Sequence, residues 1–124
     1  MKRTSYSGQF VKESFGDNYT VRPLQKFTKK WTFKNEGKTA WSEDTLFMQT
    51  NGDNLEAEPV PINYVVDPGQ EYEWEIELIA PEKEGKYSAF FRMITGNNYR
   101  FGHKVWCTII VESEKEKEQK FSEE

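Results

Sequence analysis

The sequence predicts an all-β chain folded as an antiparallel β-sandwich of about seven to nine strands. Three observations lead there. Period-two alternation of apolar and polar residues recurs along the chain, helical periodicity is nearly absent before the last dozen residues, and turn-forming clusters separate the alternating runs. A length of 124 residues suits one domain. Its 4 Trp, 6 Tyr and 9 Phe supply the bulk for a core despite a 31% charged composition, which excludes global disorder.

The strands follow in order. Gln9–Glu13 is a short first candidate. Lys26–Asn35 places Phe27, Trp31 and Phe33 on one face, with Lys29 as the exception, and Lys26, Thr28, Lys30, Thr32 and Lys34 on the other. Thr45–Thr50 comes next, and then Glu58–Val66, where Pro59 and Pro61 cannot donate to a ladder and so mark an edge or a bulge. Glu71–Ile79 alternates most cleanly: Tyr72, Trp74, Ile76 and Leu78 against Glu71, Glu73, Glu75 and Glu77. Lys86–Thr95 and Lys104–Val111 close the set. Between them lie Gly16-Asp17-Asn18, Asn35-Glu36-Gly37, Asn51-Gly52-Asp53-Asn54, Asp67-Pro68-Gly69 and Gly96-Asn97-Asn98, all built from residues that accept positive φ or preset a turn.

Gly85-Lys86-Tyr87 sharpens the class to an immunoglobulin-like sandwich, in which a Gly-x-Tyr opens strand F and the tyrosine hydroxyl ties back to the corner backbone. By that analogy Tyr87, Ala89, Phe91 and Met93 face inward, and Ser88, Phe90, Arg92 and Ile94 face outward. The same topology pairs the Lys26/Lys30/Lys34 strand with the Glu71–Glu77 strand. The lysine row then faces its own glutamates and not a phosphate backbone.

Charge and special residues exclude several function classes. The net charge is −4, and residues 112–124 hold six Glu against three Lys, so the body is nearly neutral. A nucleic-acid binder needs a basic face. The lone Cys107 cannot form an internal disulfide, and no apolar run follows the basic N-terminus or reaches membrane-spanning length. A cytoplasmic location without membrane insertion is therefore expected. His103 and Cys107 are four apart on one strand, about 13 Å between backbones, too far for a nucleophile–base pair. They also fall short of a metal site, no phosphate-binding glycine loop is present, and the carboxylates form exposed rows. No catalytic residue, cofactor or metal is expected. The organisation reads as a flexible segment over 1–7, the sandwich over 8–111, and a charged, frayed tail over 112–124.

Phe27-Thr28-Lys29-Lys30-Trp31-Thr32-Phe33-Lys34-Asn35-Glu36-Gly37 followed by Trp41 resembles the opening of the four-tryptophan domain of the Nbr1 autophagy receptors. Asp67-Pro68-Gly69, Ala80-Pro81, Gly85-Lys86-Tyr87, Phe91-Arg92-Met93, Phe101-Gly102-His103 and Val105-Trp106 continue the likeness in order. Trp31, Trp41 and Trp106 occupy three of the four tryptophan positions. Phe91 stands at the third, without an indole N–H, and Trp74 is extra. The resemblance implies an immunoglobulin-like domain for protein contact, such as cargo or partner docking in selective autophagy. The PB1, zinc-binding and ubiquitin-associated parts of such receptors have no counterpart here. Trp106-Cys107-Thr108-Ile109 matches a light-chain-interacting motif only in its letters, because it lies in a strand.

Candidate contact residues come from the outward face of the last two strands, where Trp106 flanks Phe90, Arg92 and Ile94, with Arg92 able to stack on the indole. Phe101 and Trp41 join them from neighbouring loops. An alternative reading keeps Trp106 covered by the N-terminal segment or by the loop around Phe101; Trp31, Trp41 and Trp74 read mainly as core. A non-catalytic protein-interaction or scaffold module is the reading these residues favour. A structural subunit of a larger assembly, including a cytoskeletal one, is the alternative, with a carbohydrate-binding module behind it. Exposed sheet edges also leave self-association open.

Overall fold

The computed structural model describes residues 6–113. Most of the expected flexible N-terminus and charged tail lie outside these residues. Eight strands form: β1 (Gln9–Glu13), β2 (Tyr19–Val21), β3 (Lys26–Lys34), β4 (Leu46–Gly52), β5 (Val60–Pro61), β6 (Glu71–Ile79), β7 (Gly85–Ile94) and β8 (Arg100–Val111). They build a three-stranded sheet in the order β1-β3-β6 and a five-stranded sheet in the order β2-β8-β7-β4-β5. The pairing of β3 with β6 and the run β8-β7-β4-β5 are those of an immunoglobulin-like sandwich. One strand departs from the antiparallel expectation: β2, which the sequence did not signal, pairs with β8 in parallel.

The core forms where the inward faces meet. Phe47 of β4 stacks between Trp74 and Phe91, at 5.2 and 5.7 Å between ring centroids, and Trp31 lies 5.2 Å away on its flank. Trp31 and Trp74 are buried, as the alternation predicts, and Trp41, which belongs to no alternating run, is buried with them. Phe91 is buried against Trp31, so the family position that lacks an indole belongs to the interior. The Gly-x-Tyr corner is present: the Tyr87 hydroxyl donates to the Lys83 carbonyl at 2.7 Å. The prolines sit where a ladder can spare their donors, since β5 is an edge strand. Asp67-Pro68-Gly69 closes a turn, with Gln70 N–H on the Asp67 carbonyl and Gly69 at φ +91°.

The charge ladder on the outer face of β3 and β6 is also in place. Lys30 lies opposite Glu75 and reaches Glu73 at 3.7 Å, while Lys34 lies opposite Glu71 and reaches Glu36 at 3.8 Å. Lys26 departs from it, facing Ile79.

Candidate docking surface

Polar and aromatic groups gather at three places: the buried Lys29 of β3, the outer face of β7 and β8, and the groove beside β8.

Lys29 breaks the apolar alternation of β3, and the structure supplies the reason. Its side chain is 1% exposed, donates to Glu13 at 2.8 Å and to the Phe15 carbonyl, and lies 4.0 Å from the centroid of the Phe15 ring. A charge can sit among apolar residues only when it is paired and hydrogen-bonded. Glu13 at the end of β1 supplies the pair, and Phe15 just beyond it supplies the further acceptor.

On the outer face, Phe90 and Trp106 are cross-strand partners with rings 6.3 Å apart. Trp106 is 46% exposed, and its indole N–H donates to Asp17 at 3.1 Å. Lys104 Nζ lies 5.2 Å from the centroid of the Phe90 ring. Arg92 does not stack on the indole as expected; its guanidinium donates to the Gly102 carbonyl at 2.8 Å. Gly102, at φ +82°, lies in an irregularity where five residues of β8 (Phe101–Val105) oppose three of β7 (Phe91–Met93), and that turns its carbonyl toward Arg92.

The six candidates therefore divide. Phe90, Arg92 and Trp106 gather on this face. Ile94, expected to point outward, is 5% exposed between Leu46 and Arg100 on the adjacent strands. Phe101 is 3% exposed, packed on Tyr6 and Trp41. Trp41 is fully buried, its backbone bridged to Val66 and its indole N–H donated to the Ser7 carbonyl at 2.9 Å. The side chains of these three serve packing, and the N-terminal segment covers Trp41 and Phe101 but not Trp106.

Lys104 and Asp17 were missed. Lys104 was visible in the sequence as an even-numbered neighbour of Trp106; Asp17 comes from a turn remote in sequence and carried no signal. Beside them, at the margin where β1 and β8 approach, lies a groove of about 330 Å³. Phe10, Trp31, Val105 and Trp106 supply its apolar walls, and Glu13, Asp17 and Lys104 its charged rim.

The groups with chemical potential elsewhere are held in structural contacts. His103 Nδ1 accepts the Phe10 N–H at 3.0 Å. Cys107 is buried, and desolvation pushes its thiol up to about 11, against the lowering pull of Lys29. Asp44 titrates below the usual carboxylate range because the Ser42 hydroxyl and the Gly96 N–H both bond its charged form. Among the described residues no group of three His, Cys, Asp or Glu could hold a metal ion, and no helix is long and apolar enough to cross a membrane.

Sequence comparison places this geometry in a lineage. The family model described as the Ig-like domain from next to BRCA1 gene matches residues 14–111. The human Next to BRCA1 gene 1 protein is 36% identical over 110 residues, covering 86% of this chain and 11% of that protein. Protein JOKA2 of Solanum tuberosum is 32% identical over 103 residues, covering 78% of this chain and 12% of that one. The Arabidopsis thaliana NBR1 homolog is 30% identical over 107 residues, covering 78% and 14%. The chain thus spans about an eighth of the length of these relatives. On the family match and on these identities, the chain belongs to the family of Ig-like domains from next to BRCA1 gene.

Proposed function

We propose that this domain is a non-catalytic protein-docking module that contacts its partner through the outer face and free margin of β8. The exposed Trp106–Phe90 pair carries the reading: a large indole at 46% exposure, flanked by a ring and a lysine on the outer face of the five-stranded sheet. Aromatic residues ringed by charge are the composition of energetic centres in protein interfaces. Family membership supports the same class. The finer reading is cargo or partner docking in selective autophagy, in the cytoplasm, as the four-tryptophan resemblance implies.

The test is affinity capture from cell extract with the wild-type chain and with Lys104→Glu. Lys104 sits at the rim and bonds nothing in the core, so its thermal midpoint should stay within about 2 °C. Loss of a captured protein at unchanged stability supports docking through this face. Retention of every captured protein by both Lys104→Glu and Trp106→Ala overturns it.

A further inference from the structure

The chain changes sheets between β1 and β2, and the crossing leaves one stretch of backbone open. β1 pairs with β3 in the three-stranded sheet, whereas β2 pairs with β8 in the five-stranded one. β2 covers only Ile109–Val111. One residue before that, the Asn18 N–H donates to the Thr108 carbonyl at 2.9 Å; at the other end, the His103 N–H donates to the Gly8 carbonyl at 2.9 Å. Between these two closures, Val105–Cys107 have β7 on one side, Lys104 lies in the irregularity beside them, and among the described residues Lys104–Cys107 have no backbone partner on the other side.

Strand geometry says which groups are open. The Thr108 carbonyl points to this edge, and hydrogen-bonding direction alternates along a strand, so the Trp106 N–H and C=O point to it as well. The opening spans about 13 Å, the length of three or four extended residues. The apolar groove lies against this edge, with Val105 and Trp106 in its wall, and has room for a large apolar side chain. Its rim is bipolar: Asp17 stands at the Thr108 end and Lys104 at the His103 end. Glu13 is already neutralised by Lys29 and leaves that polarity to Asp17.

We propose that this opening is a strand acceptor: an extended segment of a partner protein adds to β8 at Lys104–Cys107, seats one large apolar side chain in the groove, and sets a basic residue toward Asp17 and an acidic one toward Lys104. The inference rests on the docking reading above and specifies its mode. Main-chain hydrogen bonds would supply affinity, and the groove and the charged ends would supply selectivity.

The probes are two capped pentapeptides, acetyl-Lys-Val-Phe-Val-Glu-amide and its reversed sequence, which between them present the charges in either strand direction. Amide hydrogen exchange of the whole chain is followed by NMR. A binding peptide should slow exchange at the Trp106 amide at least tenfold, while Val105 and Cys107, already facing β7, change little. N-methylation of alternate peptide nitrogens should cost about tenfold in Kd in one of the two alternating patterns and little in the other, as expected for loss of one main-chain bond. Asp17→Lys should weaken the binding peptide severalfold, and replacing the peptide's Lys by Glu should restore it. Failure of both peptides to bind at millimolar concentration, or binding indifferent to N-methylation, overturns the strand acceptor. Either result leaves the docking reading standing if Lys104→Glu still abolishes capture of a cellular partner.

Discussion

The outer faces of the two sheets reach opposite ends with similar materials. On the three-stranded sheet, Lys30 and Lys34 of β3 stand opposite Glu75 and Glu71 of β6, and Lys30–Glu73 shows the result: a lysine answered within the same face. On the five-stranded sheet, β7 and β8 bring together Phe90, Trp106 and Lys104, and the cation rests on a ring while its charge stays available. The lesson is that charge density alone says little about binding. Lys30 and Lys34 are each answered by a glutamate close by, whereas Lys104 lies beside exposed aromatic rings.

The largest difference in stability should separate a buried tryptophan from the exposed one. Trp31→Ala should cost about 3–5 kcal/mol, because it empties the core between Phe47 and Phe91. Trp106→Ala should cost under about 1 kcal/mol, since the indole is half exposed and holds one bond to Asp17. Denaturant midpoints at constant m-value decide it, and equal costs would mean that Trp106 is structural.

Lys29 tests whether an unmatched charge always signals a site. Lys29→Ala should lose about 2–3 kcal/mol by leaving a cavity and freeing Glu13, while Lys29→Met, which refills the volume, should stay within about 1.5 kcal/mol of wild type. A Met variant as damaged as the Ala variant would show that the ion pair itself holds β1 in place.

Cys107 contrasts the two faces of β8 itself. Its folded-state pKa of about 11 lies above the unfolded value near 9, so the folded state keeps the proton longer. The stabilisation is complete below pH 9 and declines as pH rises toward 11, by about 2–3 kcal/mol. Urea titrations across that range should show a smaller decline for Cys107→Ala than for wild type. The smallest effect belongs to the matched face: Lys30→Glu should cost at most about 1 kcal/mol, diminishing in high salt, with partner capture unchanged.

Legibility followed the range of the forces involved. β6 was readable to the residue because Tyr72, Trp74, Ile76 and Leu78 obey one face, and the Tyr87 corner was readable because its bond spans four residues. β2 was not: three residues carry no periodicity, and their parallel pairing depends on β8, some ninety positions away. At the site, Trp106 and Phe90 followed from parity. Arg92 escaped it, because the irregularity at Gly102 places a carbonyl where parity would leave open solvent. Phe101 and Trp41 were misplaced among the contacts because Tyr6 and Ser7, short polar-flanked residues with no pattern, turned out to pack on one and bond the other.

That last contact bears on how the domain can be cut from a longer polypeptide. The family match begins at residue 14, yet the Ser7 carbonyl caps the Trp41 indole, Tyr6 lies on Phe101, and Gly8 packs so closely that a Cβ there would displace the Met93 methyl. A boundary drawn at the start of the family match would remove β1 together with the residues that cover Trp41 and Phe101. A recombinant fragment should therefore start upstream of Tyr6.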